Sequence, residues 1–188
     1  MRVFIAVDVD EQIRKALGSL QSELKSKINV KKSDVKWVRP SSIHLTLKFL
    51  GEIKDAQAVE VCDIARQVAQ THSSFELAVE SVGSFGGKSA RVLWVATASG
   101  SDELARLQKD IEEQLVNAGW PPENRQFTGH LTLCRIRNSK AGFKLAQIAQ
   151  DYSDYKLGTT YIEAVTVYQS QLTSAGPIYT QLGNYKLL

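Results

Sequence analysis

The sequence predicts a mixed strand-and-helix fold in which residues 1–188 form a single domain of two intimately packed lobes. Three observations predict it. Strand-like and helix-like patterns alternate along the chain. A strand–helix–strand unit ending in His-Leu-Thr-Leu occurs twice, closing at His44–Leu47 and again at His130–Leu133. No Pro-, Gly- or Ser-rich linker separates the halves, as it would between independent domains.

The elements run in this order. "RVFIAVDV" is rich in β-branched residues and reads as a buried strand, with Asp8 and Asp10 placed to cap the helix after it. From about Glu11 to Lys27, Ile13, Leu17, Leu20 and Leu24 recur at helical spacing. Pro40 pushes Arg39 towards an extended conformation, and "SIHLTLKFL" reads as a strand ended by Gly51. A second helix is expected from about Ala56 to Ala69, then a strand over "SFELAVESVGSF", a turn at "GGKS" and a strand over "ARVLWVATA". Ser101 is a candidate N-cap for a third helix carrying Leu104, Leu107, Ile111 and Leu115, with Gly119 at its end. "WPPENRQF" is a loop and "HLTLCRI" the next strand. A shorter helix covers Phe143 to Ala149, and "TYIEAVTVYQSQL" with "PIYTQLGNYKLL" reads as a closing pair of strands.

Composition excludes several classes. Hydrophobic content of 43% supplies a core without disulfide staples. The net charge of +3 tolerates a polyanion but lacks the dense basic stripe of a dedicated nucleic-acid binder. Cys62 and Cys134 lie in a helix pattern and a strand pattern, and both read as small buried hydrophobes. The opening apolar run is too short for a signal peptide and no stretch is long enough to span a membrane, so a cytoplasmic protein is expected.

Two of the three histidines head the repeated tetrapeptide. Strand alternation puts His44 beside Thr46, and His130 beside Thr132, with the leucines on the reverse face. Two imidazoles on opposite sides of one substrate can act as base and acid together, each role typically worth about 10²–10⁴ in rate. The threonine hydroxyls can donate to the oxygens of an anion without titrating. This equipment suits in-line displacement at phosphorus without a metal. Zinc is disfavoured because no carboxylate motif accompanies the histidines and threonine is a poor zinc ligand. His72, at a helix end, reads as structural. Lys48 has the parity to share the face of His44.

On these residues the chain resembles the 2H phosphoesterase superfamily, and within it the RNA 2′,3′-cyclic phosphodiesterases, also called 2′-5′ RNA ligases. "VKWVRPSSIHLTLKFLGEI" resembles the first motif of that family, "FTGHLTLCRIR" the second, and "RVFIAVDVDE" and "VYQSQLTSAGPIYTQL" its opening and closing segments. The resemblance implies an α+β fold of two pseudo-symmetric lobes, antiparallel sheets lining a central groove and helices on the outer faces. It implies His44 as general acid and His130 as general base in hydrolysis of a 2′,3′-cyclic phosphate to a 2′-phosphate. Thr46 and Thr132 would hold phosphate oxygens, with no cofactor and no metal. The reverse reaction would make a 2′-5′ bond without ATP. RNA ends carrying a cyclic phosphate, tRNA fragments among them, are the implied partners, and a monomer is expected.

Arg135 matches an arginine that follows the second motif of the family and binds substrate phosphate. Strict alternation, however, places it on the leucine face, so a bulge or the strand end must redirect it. Phe49, Arg39 and Tyr179 are candidates for base or ribose contacts. Thr128-Gly129 departs from the Lys-Pro or similar pair often found before the second histidine. Two alternatives stay open: a phosphodiesterase of small cyclic nucleotides or cyclic ADP-ribose phosphate, and an RNA-binding protein with vestigial activity.

Overall fold

Two antiparallel sheets carry the two motifs, one each. The computed structural model describes residues 1–174 and 176–188. Its elements are β1 (Arg2–Asp8), α1 (Glu11–Ser26), β2 (Val35–Trp37), a 3-10 turn at Pro40–Ser42, β3 (His44–Glu52), α2 (Asp55–Ala69), β4 (Phe75–Phe85) and β5 (Val92–Thr97). They continue with α3 (Ser101–Asn117), β6 (His130–Ile136), α4 (Ser139–Gln150), β7 (Lys156–Ile162), β8 (Ala164–Thr173) and β9 (Gly176–Lys186). The first sheet has the order β3-β1-β8-β9 and the second β2-β6-β5-β4-β7. Each motif strand thus pairs antiparallel with the strand one helix upstream, β3 with β1 and β6 with β5. This is the repeat that the sequence announces, and the α+β architecture is the expected one.

Helix α1 starts where Asp10 accepts from the Ile13 amide at 2.8 Å, and it buries Ile13, Leu17, Leu20 and Leu24. Its packing partners are β7 and the 3-10 turn; α2 lies on β8 and β9, and α4 covers β4, β5 and β6. A continuous apolar cluster runs between the layers, from Val3, Ile5 and Val7 through Leu45 and Leu131 to Val165 and Val167. Cys134 lies in that core, where burial pushes its thiol up to about 12. Cys62 and Cys134 are both free thiols. No described helix is long and apolar enough to cross a membrane.

Three local expectations change. The N-cap of α3 is Gly100, not Ser101, whose hydroxyl donates instead to Thr97 Oγ1. Gly100 has φ +88°, and a side chain there would overlap the Glu76 carbonyl, so both conformation and space require glycine. Helix α4 begins at Ser139 because Asn138 accepts from the Lys140 and Ala141 amides. The run from Thr160 to Leu172 is not one strand. It breaks at Glu163, giving β7 to the second sheet and β8 to the first. Period-two alternation continues across a change of sheet, so sequence pattern alone does not mark it.

Candidate active site

Strands β3 and β6 belong to different sheets yet lie against each other, bringing the two tetrapeptides together. In each, the leading imidazole is held the same way. His44 Nδ1 lies 3.0 Å from the carbonyl of Ser42, and His130 Nδ1 lies 2.8 Å from that of Thr128. A carbonyl only accepts, so both Nδ1 atoms carry the proton, and the lone pair of each neutral ring sits on Nε2. The Thr128-Gly129 pair thus supplies the orienting carbonyl for His130. Gly129 packs so closely on Leu104 and Thr97 that an added Cβ would lie 2.8 and 2.9 Å from them.

Aromatic rings set the tilt of both histidines. Phe4 stacks on His44 with ring centres 4.7 Å apart, and Tyr179 meets it edge-on at 5.2 Å. Phe85 meets His130 edge-on at 5.1 Å, with Trp94 beyond at 6.2 Å. Burial holds the pKa of His44 below its ordinary value. The Ser42 carbonyl and the Asp8 carboxylate act in the opposite sense, and Arg14 adds to the lowering.

The register explains Arg135. In the β5–β6 ladder Leu93 faces Cys134 and Trp94 faces Thr132, so Leu133 is the extra residue of a β-bulge. Leu133 and Cys134 are buried in succession, and the parity shifts by one. Arg135 then emerges on the face of His130 and Thr132, beside Lys36 of β2. Its positive charge acts on the Tyr179 phenol of the other sheet, together with Arg2 and Arg39. The same irregularity recurs between β1 and β3, where Ile5 faces Lys48 and Ala6 faces Thr46.

That second bulge corrects the reading of Lys48. The lysine turns into the protein, 8% exposed, pairing with Glu112 Oε1 at 2.8 Å and the Pro121 carbonyl at 3.2 Å. Phe49 takes the groove face in its place, with the Arg2 guanidinium 4.7 Å above its ring. His72 pairs with Asp110 at 2.8 Å, linking the turn after α2 to α3 away from the motifs.

Two supporting residues escaped sequence reasoning. Gln21, in the middle of α1, is fully buried, and its Nε2 donates to Val38 O at 2.8 Å and Leu133 O at 2.9 Å. The carbonyl of the bulged residue, which also accepts from the Val38 amide at 2.9 Å, is thereby satisfied. The signal was present, since Gln21 lies four residues after Leu17 and three before Leu24, on the apolar face of the helix. Asp8, expected as a cap, instead lies opposite His44 in the ladder and accepts from Arg14 at 3.1 Å, Thr166 at 3.2 Å and Tyr168 at 2.7 Å. Its counterpart opposite His130 is Ala96. Among the described residues, no group of three or more His, Cys, Asp or Glu is placed to hold a metal ion.

The family model described as "LigT like Phosphoesterase" matches the chain twice, over residues 7–94 and 95–179, once per motif. The chain belongs to the LigT-like phosphoesterase family. The curated protein "RNA 2′,3′-cyclic phosphodiesterase" of Methanothermobacter thermautotrophicus is 30% identical over 100% of this chain and 99% of its own. Its namesake from Archaeoglobus fulgidus is 33% identical over 97% of this chain and 98% of its own. Among solved structures, TT0787 of Thermus thermophilus superposes with a TM-score of 0.80 at 24% identity, covering 100% of this chain and 98% of that one. E. coli LigT, crystallised with 3′-AMP, superposes with a TM-score of 0.75 at 23% identity, covering 99% and 97%. These two share the LigT-like phosphoesterase fold.

Proposed function

We propose that this protein hydrolyses RNA 2′,3′-cyclic phosphate ends to 2′-phosphates, acting as one domain and without a metal. The observation that carries the reading is the matched pair of imidazoles. Both are locked by Nδ1 to a backbone carbonyl and both offer Nε2, from strands that meet across two sheets. His130 Nε2 takes a proton from water as its oxygen attacks phosphorus. The P–O3′ bond breaks, and Nε2–H of protonated His44 gives its proton to O3′. Thr46 and Thr132 donate to non-bridging oxygens, and Arg135, aimed by its bulge, offsets the charge developing on them.

The roles of acid and base are supported by an asymmetry between the lobes. A carboxylate, Asp8, stands opposite His44 and favours its protonated form, whereas Ala96 stands opposite His130. Burial opposes Asp8 in the free protein, and arrival of the phosphate anion adds the second attraction that protonation of His44 needs. A 5′-hydroxyl attacking in place of water would give 2′-5′ ligation by the same steps, with His130 taking its proton and O3′ leaving as before. Curated relatives across the full length carry the name of this activity on RNA.

The test is incubation with EDTA and a short RNA bearing a 2′,3′-cyclic phosphate, with identification of the product isomer. Wild type yields the 2′-phosphate; His44→Ala and His130→Ala do not. Turnover indifferent to both substitutions would refute the two-histidine mechanism. Turnover of mononucleotides with none of RNA would point to small cyclic phosphates.

A further inference from the structure

A cavity of about 420 Å³ opens beside His44, walled by Arg39, Ser41, Ser42, Pro177, Ile178 and Tyr179. This is the size of a site for a small ligand. His130, in the second sheet and also beside aromatic rings, Phe85 and Trp94, does not line this cavity. The larger cavity near that sheet, about 610 Å³, lies between β4 and α4 and is not lined by His130. The lobes repeat each other and both histidines pack on aromatic rings, yet of the two only His44 lines either of these cavities.

The chemistry of a cyclic end gives this asymmetry a meaning. O3′ is bonded to C3′, whose neighbour C4′ carries C5′, O5′ and the rest of the RNA. The group that protonates O3′ therefore stands on the side from which the polymer departs, whereas in hydrolysis the group that activates the nucleophile needs space for water alone. The charges of the cavity fit a phosphate. Arg14 is committed to Asp8, the Val9 carbonyl and the Ser41 carbonyl. Asp8 is paired with Arg14 and accepts further from Thr166 and Tyr168, so its charge is partly offset. Arg39 is exposed, makes one hydrogen bond, to the Pro177 carbonyl at 3.0 Å, and has no carboxylate partner among the described residues. That leaves most of its five N–H donors for a ligand.

We propose that this cavity is a second phosphate subsite, in which Arg39 binds the phosphodiester on the 5′ side of the terminal nucleotide. The subsite makes the protein selective for polynucleotide ends over cyclic mononucleotides. It rests on the assignment of His44 to the leaving O3′.

Three substrates test it: a dinucleotide ending in a 2′,3′-cyclic phosphate, the same dinucleotide with an uncharged methylphosphonate linkage, and a 2′,3′-cyclic mononucleotide. Charge-assisted hydrogen bonds of this kind correspond to about tenfold to a hundredfold in kcat/KM. Wild type is expected to prefer the dinucleotide over the mononucleotide by that factor and to lose the preference with the methylphosphonate. In Arg39→Gln the dinucleotide-to-mononucleotide ratio falls towards one, and Arg39→Lys keeps part of it. Equal turnover of the charged and uncharged linkages by wild type, or a preference undiminished in Arg39→Gln, would overturn the subsite while leaving the hydrolase reading intact. Failure of wild type on all three substrates would overturn both.

Discussion

Gln21 offers the sharpest test of how the fold aims the site. Its side-chain amide makes two buried hydrogen bonds, to Val38 O and to the carbonyl of the bulged Leu133. Gln21→Met keeps the volume and removes both donors. Leu133 O retains the Val38 amide, whereas Val38 O loses the only side-chain donor it has among the described residues. Two net hydrogen bonds are worth roughly 1–3 kcal/mol together. In a protein of this length that corresponds to about 2–12 °C in Tm. The functional consequence falls on Arg135, because the parity shift at Leu133 is what turns it to the His130 face. Urea denaturation measures the stability, and kcat/KM on a cyclic-ended RNA at 25 °C measures the aim of Arg135. We expect both to fall, with the loss of kcat/KM largely absent when Arg135→Ala is already in place. If Gln21→Met leaves stability and kcat/KM unchanged, or if its effect on kcat/KM simply adds to that of Arg135→Ala, the bulge does not depend on the amide.

Other perturbations have equally definite outcomes. Lys48→Met strands Glu112 in the interior and should destabilise by about 3–5 kcal/mol, whereas Lys48→Met with Glu112→Leu should recover most of that loss in the same denaturation assay. The folded-state pKa of His44 lies below 6.5, so the unfolded chain binds the proton first as pH falls. This contribution to stability is full above 6.5 and is lost as pH drops from there towards the folded pKa. A stability–pH series should therefore show the gap between wild type and His44→Gln narrowing on acidification. Asp8→Asn removes the attraction that favours imidazolium at His44, which should move the alkaline limb of the kcat/KM profile to lower pH; an unmoved limb would remove Asp8 from the acid's environment. Gly83→Ala would push a methyl group into the Trp94 ring, the neighbour of His130. Overpacking of this kind typically costs about 1–3 kcal/mol, and a thermal melt with parallel kinetics should register both stability and activity losses.

The sequence by itself determined much of this protein. Leucines and isoleucines at steps of three and four define α1 and α3, because one helical face must leave water. The twin His-Leu-Thr-Leu stretches place each imidazole beside a hydroxyl, because side chains alternate along a strand. Only the tertiary structure decided which residues surround those imidazoles. Asp8, Phe4 and Tyr168 reach His44 through strand pairings between residues far apart in the chain, and no local period encodes such a pairing. The single extra residues at the two bulges send Arg135 and Phe49 to the groove and Lys48 to the interior. A bulge breaks the period-two rule that a sequence reading depends on, and it is stabilised by partners elsewhere, such as Gln21 on α1. Alternation is a property of the chain, whereas the count of residues between two paired strands is a property of the pair.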